Sequence, residues 1–310
     1  VVIDLAHGLT PLAGGIVTGS DARIDVVSST ISNSNSGPAF ILAGGTANVV
    51  GSILDGSGGV AVVGGDLLPT GTMHFVNSVA FLAGPLSGGA NSSFADNRFV
   101  AGAGGTINVT ASTIVADLVS MSGSTPDADG VPLDAAGGTI ALASSAVMAT
   151  IDADGFAGQI GYSATSGGSL TADAFTWVRP TLAQTDADLR AAFNQPALLT
   201  GADGLTVNVI SVSPLIELSL PFPQATYPIS GGTLVGVVTD ADGANALTSP
   251  IDGSPITLDV YGQPRTTGGL RNAGAVEGVS VPELDGGSFG GAMALAAGVL
   301  AWVEQRRRRA

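Results

Sequence analysis

Three stretches of the chain share one hydrophobic pattern. Arg23–Ser32 (RIDVVSSTIS), Thr106–Val115 (TINVTASTIV) and Thr139–Met148 (TIALASSAVM) each alternate apolar with small or polar residues, cross a Ser/Thr-rich step and resume with an apolar residue. Alternation puts successive side chains on opposite faces of a strand. The hydroxyl-rich step reads as a turn bonded to its own backbone. Asn91–Asn97 (NSSFADN) has the same ending. With the last apolar residue as marker, the series is Ile31, Ile53, Phe75, Phe94, Ile114, Val147 and Phe175, spaced by 22, 22, 19, 20, 33 and 28 residues. The long step is read as an insertion, Met121–Gly137, made of loop-forming residues.

A period near 20 residues of short strands and Gly-rich turns predicts a parallel β-helix. Each coil is expected to make about three strands and to stack ~4.8 Å from the next, like residue over like. The marker residues then form an internal ladder, and Asn77, Asn97 and Asp117 a polar turn column. The rival is a β-sandwich, which also has short strands between turns. The recurrence of like segments without hairpin dipeptides favours the β-helix.

The pattern changes after Pro180. Thr185–Phe193 (TDADLRAAF) predicts a short helix capped at Thr185 or Asp186, and Leu205–Val212 a strand. Pro214, Pro221, Pro223 and Pro228 impose an extended path. The expected organisation is β-helix coils over 1–180, a closing region over 181–265 and a Gly-rich linker with a sorting motif over 266–288. A transmembrane helix over 289–303 and a basic cytoplasmic tail over 304–310 follow. The whole is all-β apart from its anchor.

Composition sharpens this in three ways. Gly occurs 46 times, which favours turns over helix interiors. There is no Cys, which excludes a disulfide framework and thiol chemistry. The formal net charge is −15, although the last residues include four consecutive Arg. A body this acidic repels nucleic acid and stays soluble. The chain begins at Val1 without the features of a signal peptide, so it is expected to be a processed form or the C-terminal part of a longer product.

Two stretches resemble known bacterial surface families. Ser249-Pro250-Ile251-Asp252-Gly253, then Asp259-Val260-Tyr261-Gly262-Gln263-Pro264-Arg265, then Asn272-Ala273-Gly274-Ala275-Val276-Glu277 resemble the closing signature of the choice-of-anchor Q domain. Asn272-Ala273 stands where that family has Asp-Ile. The resemblance implies a pectin-lyase-like, right-handed parallel β-helix on a bacterial surface, and no enzymatic activity. Val281-Pro282-Glu283-Leu284-Asp285, an apolar run and Arg306, Arg307, Arg308 and Arg309 resemble a PEP-CTERM sorting domain of the VPEID type, with Leu284 in place of Ile. That resemblance implies an exosortase-like processing enzyme as partner, in Gram-negative bacteria that make exopolysaccharide.

The tail reads similarly on physical grounds. Phe289–Val303 is 15 residues long, or 18 when counted from Gly286, at the lower limit of a spanning helix. Its small residues suit helix contact in lipid. Trp302 sits where an interfacial aromatic belongs, and Arg306–Arg309 orient the segment with the basic end in the cytoplasm. The rival is an apolar C-terminal helix packed on a soluble protein. The expected localisation is exported, anchored in the membrane before processing, then cell-surface or extracellular.

Chemistry is sparse. A lyase acting on anionic sugars needs a base beside a cation, and the chain has no Lys. A hydrolase needs two carboxylates across one groove, and no pair stands out. Of four Asp-Ala-Asp triplets, Asp127/Asp129, Asp152/Asp154 and Asp240/Asp242 precede a Gly. Asp240, Asp242 and Asn245 are the best Ca²⁺ candidates, and Asp186/Asp188 reads as a helix cap. His7 and His74 are isolated, Ser28–Thr30 reads as a hydrogen-bonded turn stack, and Trp177 as a core or cap residue. No catalytic residue is assigned. The expectation is a non-catalytic surface protein of adhesion or extracellular matrix, with no cofactor beyond Ca²⁺ and with polysaccharide as a further partner. The alternatives are a polysaccharide lyase or hydrolase and a Ca²⁺-stabilised surface spacer.

Overall fold

A computed structural model describes residues 2–5, 16–18, 22–33, 40–42, 44–56, 60–62, 70–83, 99–118, 133–151, 162–179, 185–200, 205–209, 224–228, 233–239, 246–265 and 269–277. The described chain is mostly β-structure. Its strands recur in threes, and every third strand joins the same parallel sheet. Sheet A holds β1 (Val2–Leu5), β4 (Thr30–Asn33), β7 (Ile53–Gly56), β10 (Val79–Ala83), β13 (Thr113–Leu118), β16 (Ala146–Ile151), β19 (Trp177–Val178) and β20 (Leu199–Thr200). Sheet B holds β2 (Ile16–Thr18), β5 (Phe40–Leu42), β8 (Val60–Val62), β11 (Phe99–Ala101), β14 (Leu133–Ala136) and β17 (Ser163–Thr165). Sheet C holds β3 (Arg23–Val27), β6 (Gly45–Val50), β9 (Gly71–Val76), β12 (Thr106–Thr110), β15 (Thr139–Ala143) and β18 (Ser169–Ala172). This stack of coils is compatible with a parallel β-helix.

The three alternating stretches lie in one register. Thr106 pairs with Thr139 and Ile107 with Ile140, and the sheet runs back through β9 and β6 to Arg23 and Ile24. The inner apolar positions, among them Ala47, Val49, Met73, Phe75, Ile107, Val109, Ile140 and Leu142, form one core with the inner residues of sheets A and B. Phe75 and Phe99 meet edge to face in it, with ring centroids 5.4 Å apart.

The corner between sheets C and A takes two residues. The first, at Ser28, Gly51, Asn77, Ala111 and Ser144, has φ between 46° and 58°. Such left-handed positions bend a strand sharply and usually select Gly or Asn. The second is always Ser until the last coil: Ser29, Ser52, Ser78, Ser112 and Ser145, then Thr176. Ser29, Ser52, Ser78 and Ser112 each donate their N–H to the hydroxyl oxygen of the next coil's Ser, at 3.1, 3.0, 3.1 and 3.2 Å. Ser145 does the same to Thr176 at 3.4 Å. Within each turn the Ser hydroxyl donates to the carbonyl two residues back, as Ser52 does to Val50 at 2.9 Å. The column therefore satisfies a buried polar ridge that would otherwise strand its amides. This is the turn stack that Ser28–Thr30 signalled.

Glycine occupies the corner between sheets B and C for steric reasons. A Cβ on Gly138 would lie 2.3 Å from the Gly102 carbonyl oxygen, and one on Gly168 1.8 Å from that of Ala135. The repeated Ala-Gly-Gly-Thr at 43–46, 103–106 and 136–139 marks this corner.

The coils differ from the expected series in length and register. Successive corner residues are 23, 26, 34, 33 and 31 positions apart. The inner rungs of sheet A are Ile31, Leu54, Ala80, Ile114, Val147 and Val178. Ile31, Ile114 and Val147 are markers as expected, whereas Ile53 misses its rung by one residue. Phe75 belongs to sheet C, and Phe175 to the corner before β19. Phe94 and Asn97 lie outside the described residues, and β10 pairs directly with β13. Asp117 pairs within β13 rather than joining Asn77 at the corner. Leu133–Ala136 forms β14, so the expected insertion ends in a strand.

After the last complete coil, α1 (Asp186–Ala192) closes one end of the core with Leu189 and Phe193. Thr185 accepts from the Asp188 N–H and Asp188 accepts from the Thr185 N–H, a capping box. β20 then adds to sheet A beyond residue 180. β21 (Leu205–Val209) pairs antiparallel with β22 (Gln224–Pro228), and β23 (Val238–Thr239) with β24 (Leu270–Arg271).

Candidate functional site

The C-terminal residues return along the flank of the stack as a strap over the C–A corner. Leu247, with Ile251 and Ile256, packs on Val50, Val76 and Ala111 on the sheet C side. Leu234, Val238, Ala273, Ala275 and Val276 pack on Val79, Phe81, Val115, Met148 and Trp177, the outer residues of sheet A. Sheet A is thus apolar on both faces, as a sheet covered on both sides must be.

The second and third segments of the closing signature meet on this ridge, beside Ile251 of the first. Arg265, 5% exposed, donates Nε and Nη2 to Asn77 Oδ1 at 2.9 and 2.7 Å, and Nη1 to Glu277 Oε1 at 2.6 Å. Nη2 also donates to the Gly274 carbonyl at 2.9 Å. Burial pulls the guanidinium pKa down and the Glu277 carboxylate opposes that shift. Asn77 returns its amide N–H to the Leu258 carbonyl at 2.9 Å. Asp259 accepts from the N–H groups of Tyr261, Gln263 and Glu277 at 2.9, 2.8 and 2.9 Å. Asn272 accepts from the Gly236 N–H and donates to the Glu277 carbonyl, both at 2.9 Å. An ionised Asp has no proton for the second bond, so Asn is suited to this position. Gly274 (φ 92°) donates to the Ser144 carbonyl at 2.8 Å, and a Cβ there would lie 2.7 Å from Thr113 Oγ1. Ala275 donates to that same Thr113 oxygen at 3.0 Å.

Arg265, Asp259 and Glu277 are therefore committed to one another and to the corner. An arginine that neutralises a substrate carboxylate needs free donors, and Arg265 spends its own on Asn77, Glu277 and Gly274.

Below this lock the strap and the first two corners enclose a cleft of about 540 Å³, lined by Val27, Ser28, Gly51, Ile53, Asp252 and Leu258 among others. Val27 and Leu258 are 51% and 50% exposed. Bonds from the Ser254 hydroxyl and N–H hold the Asp252 carboxyl below its usual pKa. The hydroxyl of Ser29 donates to the Val27 carbonyl. No His, Lys or Arg lines the cleft among the described residues, and its carboxylates are those of Asp252 and Asp259.

His74 stands on the outer face of sheet C, half-buried, in register with Asn48 and Asn108. Burial holds its pKa below the ordinary value. Its in-register neighbours are the amides of Asn48 and Asn108. Trp177 is fully buried in the sheet A cluster, the core role expected of it. Asp186 and Asp188 lie in the first turn of α1, where Asp188 serves the cap.

The other expected site residues fall outside the described residues: the sorting motif Val281–Asp285, Arg306–Arg309, and the Ca²⁺ candidates Asp240, Asp242 and Asn245. Among the described residues no cluster of three His, Cys, Asp or Glu could hold a metal. No described helix is long and apolar enough to cross a membrane. Sequence reasoning placed Arg265 in the closing signature but missed its partner Asn77, and Thr113 and Ser144 with it. The available signal was the near-continuous apolar run of β10 (VAFLA), which asks for cover on both faces. Compared with family models, curated proteins and solved structures, the chain matches none.

Proposed function

We propose that this protein is an exported, surface-associated, right-handed parallel β-helix of the choice-of-anchor Q kind. It is non-catalytic, acts in adhesion or an extracellular matrix, and is delivered by its PEP-CTERM-like tail. The observation that carries the reading is the convergence of the second and third signature segments, with Ile251 of the first packed on the same ridge. Their polar residues, Asp259, Arg265, Asn272 and Glu277, bond to one another and to the stack, which is the chemistry of a closure. The sorting motif begins four residues after Glu277, so the address follows the closure directly. An exosortase-like enzyme and the membrane are its partners on this reading.

Fractionation of a producing bacterium, probed with an antibody to the coils, tests it. The expected result is a membrane-bound full-length form and a shorter surface or medium form. Pro282→Ala with Glu283→Ala should leave only the longer one. Full-length protein confined to the cytosol would sink the reading.

A further inference from the structure

The described body ends at Glu277, and the way that residue is held has a mechanical consequence. Its N–H is held by Asp259, and its carboxylate by Arg265 and the Asn272 N–H. This cluster is bonded to Asn77, Thr113 and Ser144, which lie on three successive coils. The far end of sheet A is much weaker. There β20 joins β19 through two residue pairs, Trp177 with Leu199 and Val178 with Thr200. Tension entering through β20 would open those pairs and then reach the next strand. Tension entering beyond Glu277 meets the cluster first, where bonds to three coils share it.

We propose that the strap over 246–277 is a tension lock, which spreads force applied to the C-terminal tail over the third, fourth and fifth coils and keeps it from the end of the stack. The proposal rests on the anchored-surface reading only for the source of the force. The lock itself is a property of the described body.

Constant-force measurement on the full chain tests it. Handles are attached at Ser169→Cys, an exposed position of the last coil, and Ala310→Cys, since the chain has no other Cys. Releasing the strap frees at most the 77 residues between Thr200 and Glu277 (277 − 200). That is a first step of roughly 250–280 Å when extended. Arg265→Ala should shorten the lifetime before this step on the order of a hundredfold, because it strands the partner of a buried ion pair. Glu277→Gln should shorten it on the order of tenfold, and it decides the matter if Arg265→Ala does not fold. Thr200→Ala in β20, outside the apolar cluster under the strap, should leave the lifetime unchanged. Unaltered lifetimes in Glu277→Gln, or equal shortening by Thr200→Ala, would overturn the lock. Cytosolic retention in the fractionation experiment would remove the anchoring reading and leave the lock untouched.

Discussion

Sheets A and C are built from the same coils, yet they meet their surroundings differently. Both turn apolar residues inward. Outward, sheet C carries Thr46, Thr72, Thr106 and Thr139 in one register row, with Asn48, His74 and Asn108 in another. Sheet A carries Val79, Phe81, Val115, Met148 and Trp177, all buried under the strap. The lesson is that coil repetition supplies the inner core, while a non-repeating segment determines what the outer face must be. Away from the corner sheet C is finished by its own sequence, and only its last residues, Val50 and Val76, share the strap's cover. Sheet A depends on residues from much further along the chain.

The sharpest way to break this contrast is to end the chain at Thr200. The five outer residues of sheet A would lose their cover, at roughly 1.5–3 kcal/mol each. Their sum is comparable with the whole stability of a domain, ~5–15 kcal/mol. The shortened protein should aggregate or lose cooperative thermal unfolding, and a melt as sharp as that of the full chain would refute the dependence.

Single substitutions come next. Trp177→Ala on the covered face should cost about 3–5 kcal/mol in denaturant unfolding. Thr106→Ala on the open face should stay within about 0.5 kcal/mol. Equal losses would mean that the two outer faces are alike after all. Ser112→Ala falls between, at about 1–3 kcal/mol, because the buried Ser78 N–H loses its acceptor.

The smallest effect belongs to His74. Burial lowers its folded pKa below 6.5, so the unfolded chain binds the proton more readily. Stability from this group is therefore fully present above pH ~6.5 and falls as pH drops through the folded pKa. The melting temperature should rise between pH 5 and 7.5, and His74→Asn should flatten that rise. Asp25 has the usual carboxylate sense: bonds from Asn48 and Arg23 lower its pKa, so its contribution is lost only as acid takes the pH below ~3.9.

What was legible in the sequence follows the same division. The repeats at Arg23, Thr106 and Thr139 were correctly aligned because alternation and the Ser step are local. The intervening coils were misjudged where length varies. The 34 residues from Ser78 to Ser112 make one coil, and a fixed period of about 20 split them at Phe94. The cap of α1 was legible because two residues three positions apart, Thr185 and Asp188, make it. The pairing of Arg265 with Asn77 was not, since the two lie 188 positions apart and nothing local requires either. Asn77 carried a partial signal, because non-Gly residues at positive φ are enriched in Asn. Asn272 stands where the motif it resembles has Asp, and its paired donor and acceptor bonds give the amide a physical reason.

The strap has one more consequence, for growth of the molecule. Within the stack each two-residue corner bonds to the coils beside it, so the stack by itself places no limit on the number of coils. The strap does. It touches the first coil where Arg23 donates to the Ile251 carbonyl, and the fifth where Gly274 meets Ser144. A duplicated coil between those points would carry Ser144 one layer, ~4.8 Å, out of reach. The strap thus acts as a length gauge for the coils between Arg23 and Ser144.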